Sequence, residues 1–373
     1  MVKVRIVGQL GEKCLTTEGL MNSPCPQDEE GRPAKEYGSF TFSYGPLAGG
    51  PIESLALDVL TRGESVDWID YVSSKNRKIP LAGLRVEDAI LKVERINANF
   101  GAAHSIAFLI AVEKALEVEP DEKVVSSRIV ELELERVRNH LLVLHRLLDA
   151  ASLLVPAYTV LSAVEQVNRT IGRACGHRYF MGANFLGGTV CRFEPSMLVG
   201  WTFMKEMWKV LENRIFVDRL SGNGVIKDNS LIGPAARAAG MAFDARCDGG
   251  DLPYDGFRPV SMRDGDALSR LMVRMEEVES SIEMLSEMRT EPSSFIVPER
   301  TGEGIARVES PSGDLAYLVE VEGRMLRKVE VLPPSRANLR AFLSSSRGAI
   351  FTDIPFNWES FGIWVSELEV DLG

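Results

Sequence analysis

Apolar residues change their spacing along the chain. In the first seventy positions they alternate with polar ones. Val2, Val4 and Ile6 do so, and Phe40, Phe42 and Tyr44 repeat the pattern within the segment 39–44. A period of two is that of a strand with one face on a core. A glycine turn follows, Gly45-Pro46-Leu47-Ala48-Gly49-Gly50-Pro51, and then a further strand over 53–60. From Val86 the spacing becomes helical. One helix is predicted over 86–116 and a second opens at Pro120-Asp121-Glu122, carrying Ile129, Leu132, Val137, Leu141, Leu144 and Leu148 on one face. Pro156 interrupts the run and 160–171 resumes it. Gly172, Gly176, Gly182, Gly187 and Gly188 then end it. Helices are predicted over 195–217 and 265–288. Alternation returns after Pro292, over 304–309, 315–321 and 325–331. The pattern predicts an α+β fold, mainly α, with a central bundle of long helices flanked by N-terminal and C-terminal antiparallel sheets. It divides into a β-rich region 1–70, a helical core 71–300 and a C-terminal β region with tail 301–373.

One stretch breaks its own pattern. Between the helical halves of 86–116 lies Asn97-Ala98-Asn99-Phe100-Gly101, a poor helix former inside a good one. A local rule broken within a buried element points to a site or a strained feature.

Composition changes the picture little. Among 373 residues, 45% are hydrophobic and 25% charged, as in an ordinary globular protein. The net charge of -11 argues against a nucleic-acid surface. The longest apolar run, 106–112, is far short of a membrane span, and the N-terminus reads as a strand, not a signal peptide. The protein is therefore expected in the cytoplasm. The five cysteines (Cys14, Cys25, Cys175, Cys191, Cys247) show no C-x-x-C pair and are expected to be reduced, buried thiols.

Six blocks in order resemble the large subunit of membrane-bound, energy-converting [NiFe] hydrogenases and its relative, the quinone-site (49 kDa-type) subunit of respiratory complex I. They are Glu94-Arg95-Ile96 with Ala103-His104-Ser105; Glu133-Leu134-Glu135-Arg136 with Asn139-His140-Leu141; Asp218-Arg219-Leu220-Ser221-Gly222-Asn223-Gly224; Gly233-Pro234 through Gly240; Gly265-Asp266-Ala267 with Arg270 and Arg274; and Glu309-Ser310-Pro311 with Gly313-Asp314-Leu315.

The resemblance implies a helical bundle flanked by sheets, with a site where the N-terminal sheet, the first bundle helix and the tail meet. The hydrogenases hold nickel and iron on four thiolates from two C-x-x-C pairs. Aligned on the flanking blocks, those ligand positions fall at Asn97 and Phe100, and at Pro355 and Trp358. None is a thiolate, so no metal is expected. The complex I relative uses a tyrosine where Ala98 stands and a histidine in the glycine turn, where Leu47 and Ala48 stand without one. Its R-G-x-E segment falls on Lys75-Asn76-Arg77-Lys78, where either an anion site or a solvated loop is a reading. Tyr44 and Tyr71, close in sequence, read as strand packing.

The implied acceptor cavity is lined by Leu47, Ala48, Asn97, Ala98, Phe100, His104, Asp353 and Trp358. His104 reads equally as a satisfied buried histidine. Asp353 is expected to orient the tail. Glu133, Glu135 and Arg136 read either as a buried strip coupling the site to membrane subunits or as a solvated helix face. The expected setting is a complex I-like or hydrogenase-related respiratory assembly at the cytoplasmic side of the membrane. There a small iron–sulfur subunit and membrane-embedded subunits are partners and the acceptor is quinone-like. This chain is expected to bind no cofactor of its own. The alternatives are a catalytically silent scaffold subunit, or a subunit of conventional hydrogenase or NADH-quinone oxidoreductase activity.

Overall fold

The computed structural model describes residues 6–10, 13–16, 19–21, 33, 37–45, 53–73, 77–226 and 231–373. Leu47, Ala48, Lys75 and Asn76 lie outside the described residues.

The chain opens with an antiparallel meander of β1 (Ile6–Leu10), β2 (Lys13–Thr16) and β3 (Gly19–Met21). A second meander joins β4 (Ser39–Tyr44), β5 (Leu57–Arg62) and β6 (Ser65–Tyr71), with Phe42 opposite Val59 and Val59 opposite Ile69. β7 (Arg77–Lys78) is short. Then α1 (Val86–Val93) buries Val86, Ala89, Ile90 and Val93, the i, i+3, i+4, i+7 stripe of an amphipathic helix.

The helix predicted over 86–116 is two helices. Asn97 is extended (φ −137°, ψ 107°), and a single tight turn at 98–100 leads into α2 (Gly101–Ala115). α2 is buried from Gly101 through Glu113, so no face needs to be polar. α3 (Glu122–Ala150) is capped by Asp121, whose carboxylate accepts the Lys123 N–H at 2.8 Å. α4 runs Leu154–Cys175. Pro156 does not interrupt it; it sits in the first turn, where its missing N–H costs nothing.

A loop with the two-residue strands β8 (Asn184–Phe185) and β9 (Gly188–Thr189) follows. It folds back so that the Arg192 N–H reaches the Ala174 carbonyl at 2.9 Å. Cys175 and Cys191 thereby meet in a disulfide, and Cys14 is disulfide-bonded too. The expectation of reduced thiols is overturned for these three. A separation of 16 residues with no motif carried no sign of it.

The helix predicted over 195–217 is broken. Gly200 takes φ +97°, and the segment forms α5 (Met204–Lys209) and α6 (Arg214–Leu220), the latter capped by Asn213. α7 (Gly233–Ala238) is short, and α8 runs Ala267–Glu287. β10 (Ser293–Ser294) pairs with β9. The largest sheet is the meander of β11 (Arg300–Ser310), β12 (Gly313–Gly323) and β13 (Met325–Leu332). The tail holds α9 (Pro334–Ser345), α10 (Ile354–Phe361), α11 (Val365–Leu368) and β14 (Val370–Asp371). β14 runs parallel to β7, which ties the end of the chain to the segment before α1.

α3 packs along α4 and α8, while α2 lies on β11 and β12. The helix–sheet contact is closer than side chains allow. A Cβ on Gly304 would stand 2.0 Å from the Ala111 carbonyl oxygen, and one on Gly302 would stand 2.3 Å from that of Ala115.

Candidate functional site at the Asn97–Gly101 hinge

The break between α1 and α2 is built by its own side chains. The Asn97 carboxamide oxygen accepts the Asn99 N–H at 3.0 Å, an Asx turn that holds residue 97 extended. Gly101 then lets α2 begin against the loop after α4, where a Cβ would meet the Tyr179 carbonyl oxygen at 2.5 Å. α3 clamps the same point twice. The Glu135 carboxylate accepts the first free N–H groups of α2, from Ala102 (2.8 Å) and Ala103 (2.9 Å). One helical turn along, the Arg138 guanidinium donates to the carbonyls of Asn99 and Arg178. Arg77, from the basic segment before α1, donates to the carbonyls of Arg95 (2.9 Å) and Ile96 (3.1 Å). It braces the hinge, where a solvated loop was one of the two readings.

Asn97, Phe100 and His104 converge on the tail, at residues the sequence pattern does not single out. The Glu367 carboxylate accepts from Asn97 Nδ2 (3.3 Å), from the Ser335 hydroxyl and from His104 Nε2 (3.4 Å). His104 Nδ1 lies 2.7 Å from the Tyr317 hydroxyl on β12. With Glu367 ionised, Nε2 carries the histidine proton and Nδ1 accepts from Tyr317. Burial, then the Glu367 charge, hold the Tyr317 hydroxyl well above the ordinary tyrosine range. Phe100 stacks edge-on to Trp364 at 5.8 Å, and the Arg146 guanidinium covers that indole at 4.8 Å. Arg146 pairs in turn with Glu359, whose pKa burial pushes up to about 7 against the pull of Arg146. Tyr71 and Ser73 hydrogen-bond Glu369, and Glu53 accepts the N–H groups of Val365 and Ser366. The tail over 364–369 thus contacts both the N-terminal β-rich region and, through Glu367, the hinge.

Two residues assigned to the cavity lie elsewhere. Trp358 packs edge-on against Phe342 at 5.1 Å, in a separate core cluster with Leu55, Val59 and Ile69. Asp353 pairs with Arg219 at 2.6 Å and makes no cap bond to α10. The tail stretch that reaches the hinge is 364–367, some ten residues beyond Pro355. Counting along the sequence from Asp353 misses it because the tail winds through α10 first. Ala98 is half-buried at the hinge surface. Among the described residues, no cluster of three or more His, Cys, Asp or Glu side chains is placed to hold a metal ion. Neither the hinge nor 364–367 carries a thiolate, so the soft donor set a nickel–iron centre needs does not fit here.

Beside the hinge, α3 faces a second buried polar region. Glu133, Glu135 and Arg136 are all fully buried, which excludes the solvated-face reading. Glu133 pairs with Arg136 (3.1 Å) and accepts from Tyr254 (2.9 Å) and Ser281 (2.6 Å). Arg237 meets Asp244 (2.8 Å), Glu277 (2.7 Å) and Glu309 (2.9 Å). His140 bonds Glu277 at 2.7 Å, and burial pushes its pKa down to about 3, so it is neutral.

The matches with known proteins follow the same parts of the chain. The family model described as respiratory-chain NADH dehydrogenase, 49 Kd subunit, matches residues 156–292. A D-type chain of NADH-quinone oxidoreductase from Solibacter usitatus is 27% identical over 294 residues, covering 70% of this chain and 78% of that protein. The D-type chain of the same enzyme from Deinococcus radiodurans is 28% identical over 309 residues, covering 68% of this chain and 75% of that one. A chain in the structure of the membrane-bound sulfane sulfur reductase, an archaeal respiratory membrane complex, superposes with a TM-score of 0.75 at 21% identity. The match covers 89% of this chain and 98% of that one, and the two share the fold. None of the described helices is long and apolar enough to cross a membrane. Sequence blocks, family model and fold point the same way: the chain is similar to the 49 kDa-type subunits of respiratory-chain NADH dehydrogenase and shares the fold of that structural neighbour.

Proposed function

We propose that the chain is the large subunit of a membrane-associated oxidoreductase complex, in which an iron–sulfur partner subunit delivers electrons to an acceptor at the hinge. The carrying observation is the buried chain Tyr317–His104–Glu367–Asn97, set where sheet, helix and tail meet. An imidazole between a hydroxyl and a carboxylate can hold or pass a proton to an acceptor as it is reduced. The acceptor is a quinone-like ring or another small oxidant, entering on the side of Ala98. The nickel–iron site of the hydrogenase branch is lost. α3 carries the consequence away from the hinge: Glu135 and Arg138 hold the α2 start, and Glu133 and Arg136 on the same helix reach the charge network that would face the ion-translocating membrane subunits. The complex sits on the cytoplasmic side of the membrane.

The test uses the purified assembly. Reduced by its donor, it should pass electrons to a quinone, sulfur or ferredoxin-type partner, and Ala98→Trp should cut that turnover about tenfold or more without lowering thermal stability. No transfer to any such partner, or full turnover in Ala98→Trp, sinks the reading. Stoichiometric nickel in the assembly would restore a conventional hydrogenase.

A second reading has its own observation. Phe100 is fully buried against Trp364, as a filled former site would be. On that reading the chain is a silent scaffold subunit, and turnover of the assembly is indifferent to Ala98→Trp.

A further inference from the structure

Away from the hinge, α4 and the broken 195–217 segment enclose a cleft of about 480 Å3. Its walls are unusual for a chain of net charge -11. Arg169 and Arg173 project from successive turns of α4, and Arg178 returns to them from the loop beyond. Among the described residues, Glu165 is the carboxylate paired here, bridging Arg169 (2.8 Å) and Arg178 (2.9 Å). Three guanidiniums against one carboxylate leave the cleft two positive charges in excess. Arg173 meets no carboxylate among the described residues; it donates to the Thr170 hydroxyl (3.1 Å) and the Met197 carbonyl (3.4 Å).

The rest of the wall is built to leave room. Gly172 and Gly200 contribute no side chain, and Gly200 needs its positive φ of +97° to turn the chain at the rim. Trp201 is fixed by its indole N–H, which donates to Thr170 at 3.2 Å. Gln166 also lines the cleft, and its Oε1 is buried with no donor among the described residues. A buried acceptor without a donor is costly unless something supplies one.

We propose that this cleft binds a compact dianion of the phosphate class, either a free phosphate ester or the headgroup of an anionic lipid. Guanidinium forks match the paired oxygens of such a group. Two excess charges match a dianion. The lipid source has support in the surroundings. Val199 on the rim is 81% exposed, and α4 exposes Leu154, Val155 and Tyr158 toward its start. This inference does not depend on electron transfer at the hinge.

The test uses the full chain and two probes. Pyrophosphate is titrated calorimetrically, and vesicles of phosphatidylcholine with and without phosphatidic acid, a lipid phosphomonoester, are floated with the protein. The proposal expects pyrophosphate binding, phosphatidic acid-dependent flotation, or both, each weakened about tenfold or more by the double variant Arg169→Ala/Arg173→Ala. Both arginines are exposed, so that variant keeps its fold. Pyrophosphate alone identifies a free phosphate ester; flotation as well identifies a headgroup. Glu165→Gln frees two guanidiniums and should tighten binding. The proposal is overturned by an absence of both kinds of binding, by binding that survives the double variant, or by Arg169- and Arg173-dependent association with a partner subunit without anion binding.

Discussion

Two neighbouring regions of the core bury ionisable groups in opposite ways. Around Arg237 and Arg246, Glu133, Glu277 and Asp244 each have a guanidinium close by and are all held below their ordinary range. Their attraction to arginine outweighs their burial. At the hinge the balance reverses. Glu135 has Arg138 and two N–H groups, and Glu359 has Arg146, yet burial pushes both up to about 7. Glu309 crosses the divide: it touches Arg237 at 2.9 Å, yet burial and then the Asp244 charge push it up to about 7. Three carboxylates of the network stay charged, while Glu309 joins the hinge pair near neutrality. The lesson is that arginine contact alone does not keep a buried carboxylate charged: burial and a neighbouring carboxylate outweigh it at Glu309.

Three substitutions would break or sharpen this contrast. The largest effect belongs to Arg237→Ala, which strands Asp244, Glu277 and Glu309 together. It should cost about 3–5 kcal/mol, seen as a lower urea midpoint, because uncompensated buried charges remain. Retention of full stability would mean the network is not held by this arginine. Next comes Glu135→Gln. The folded pKa of Glu135 lies above its ordinary 4.5, so its contribution is fully present below that pH and fades as pH rises through about 7. Glutamine carries no such charge. The stability of the variant relative to the parent should therefore rise between pH 4.5 and pH 8, by roughly 3 kcal/mol at most. A constant difference across that range would place Glu135 with the fixed charges. The smallest effect is Tyr317→Phe, which removes the donor to His104 Nδ1. It should cost about 1 kcal/mol in thermal unfolding, and an unchanged melting temperature would remove Tyr317 from the hinge chain.

Much of this was legible from residue order. Strand β4 and helices α3 and α8 stand where alternation, the Pro120-Asp121-Glu122 start and 3.6-residue spacing put them, because local pattern and tertiary burial agree there. The hinge was legible for the same reason in reverse: Asn97 and Gly101 contradict the helix around them. The tail was not. Glu367 and Tyr317 are far apart in sequence and carry no motif, and only the β7–β14 pairing and the return of α11 bring the carboxylate to His104. The charge on α3 was ambiguous because buried and solvated ion pairs share the same i,i+3 spacing; burial alone tells them apart.

The glycines of β11 have a mechanical consequence. With Gly302 and Gly304 pressed on its backbone, α2 is keyed into the sheet like a shaft in a slot and cannot roll or slide without steric collision. Any movement at the hinge must then be taken up by the other jaw, the short turn at 98–100 and the tail with Trp364 and Glu367, while α2 stays as the anvil.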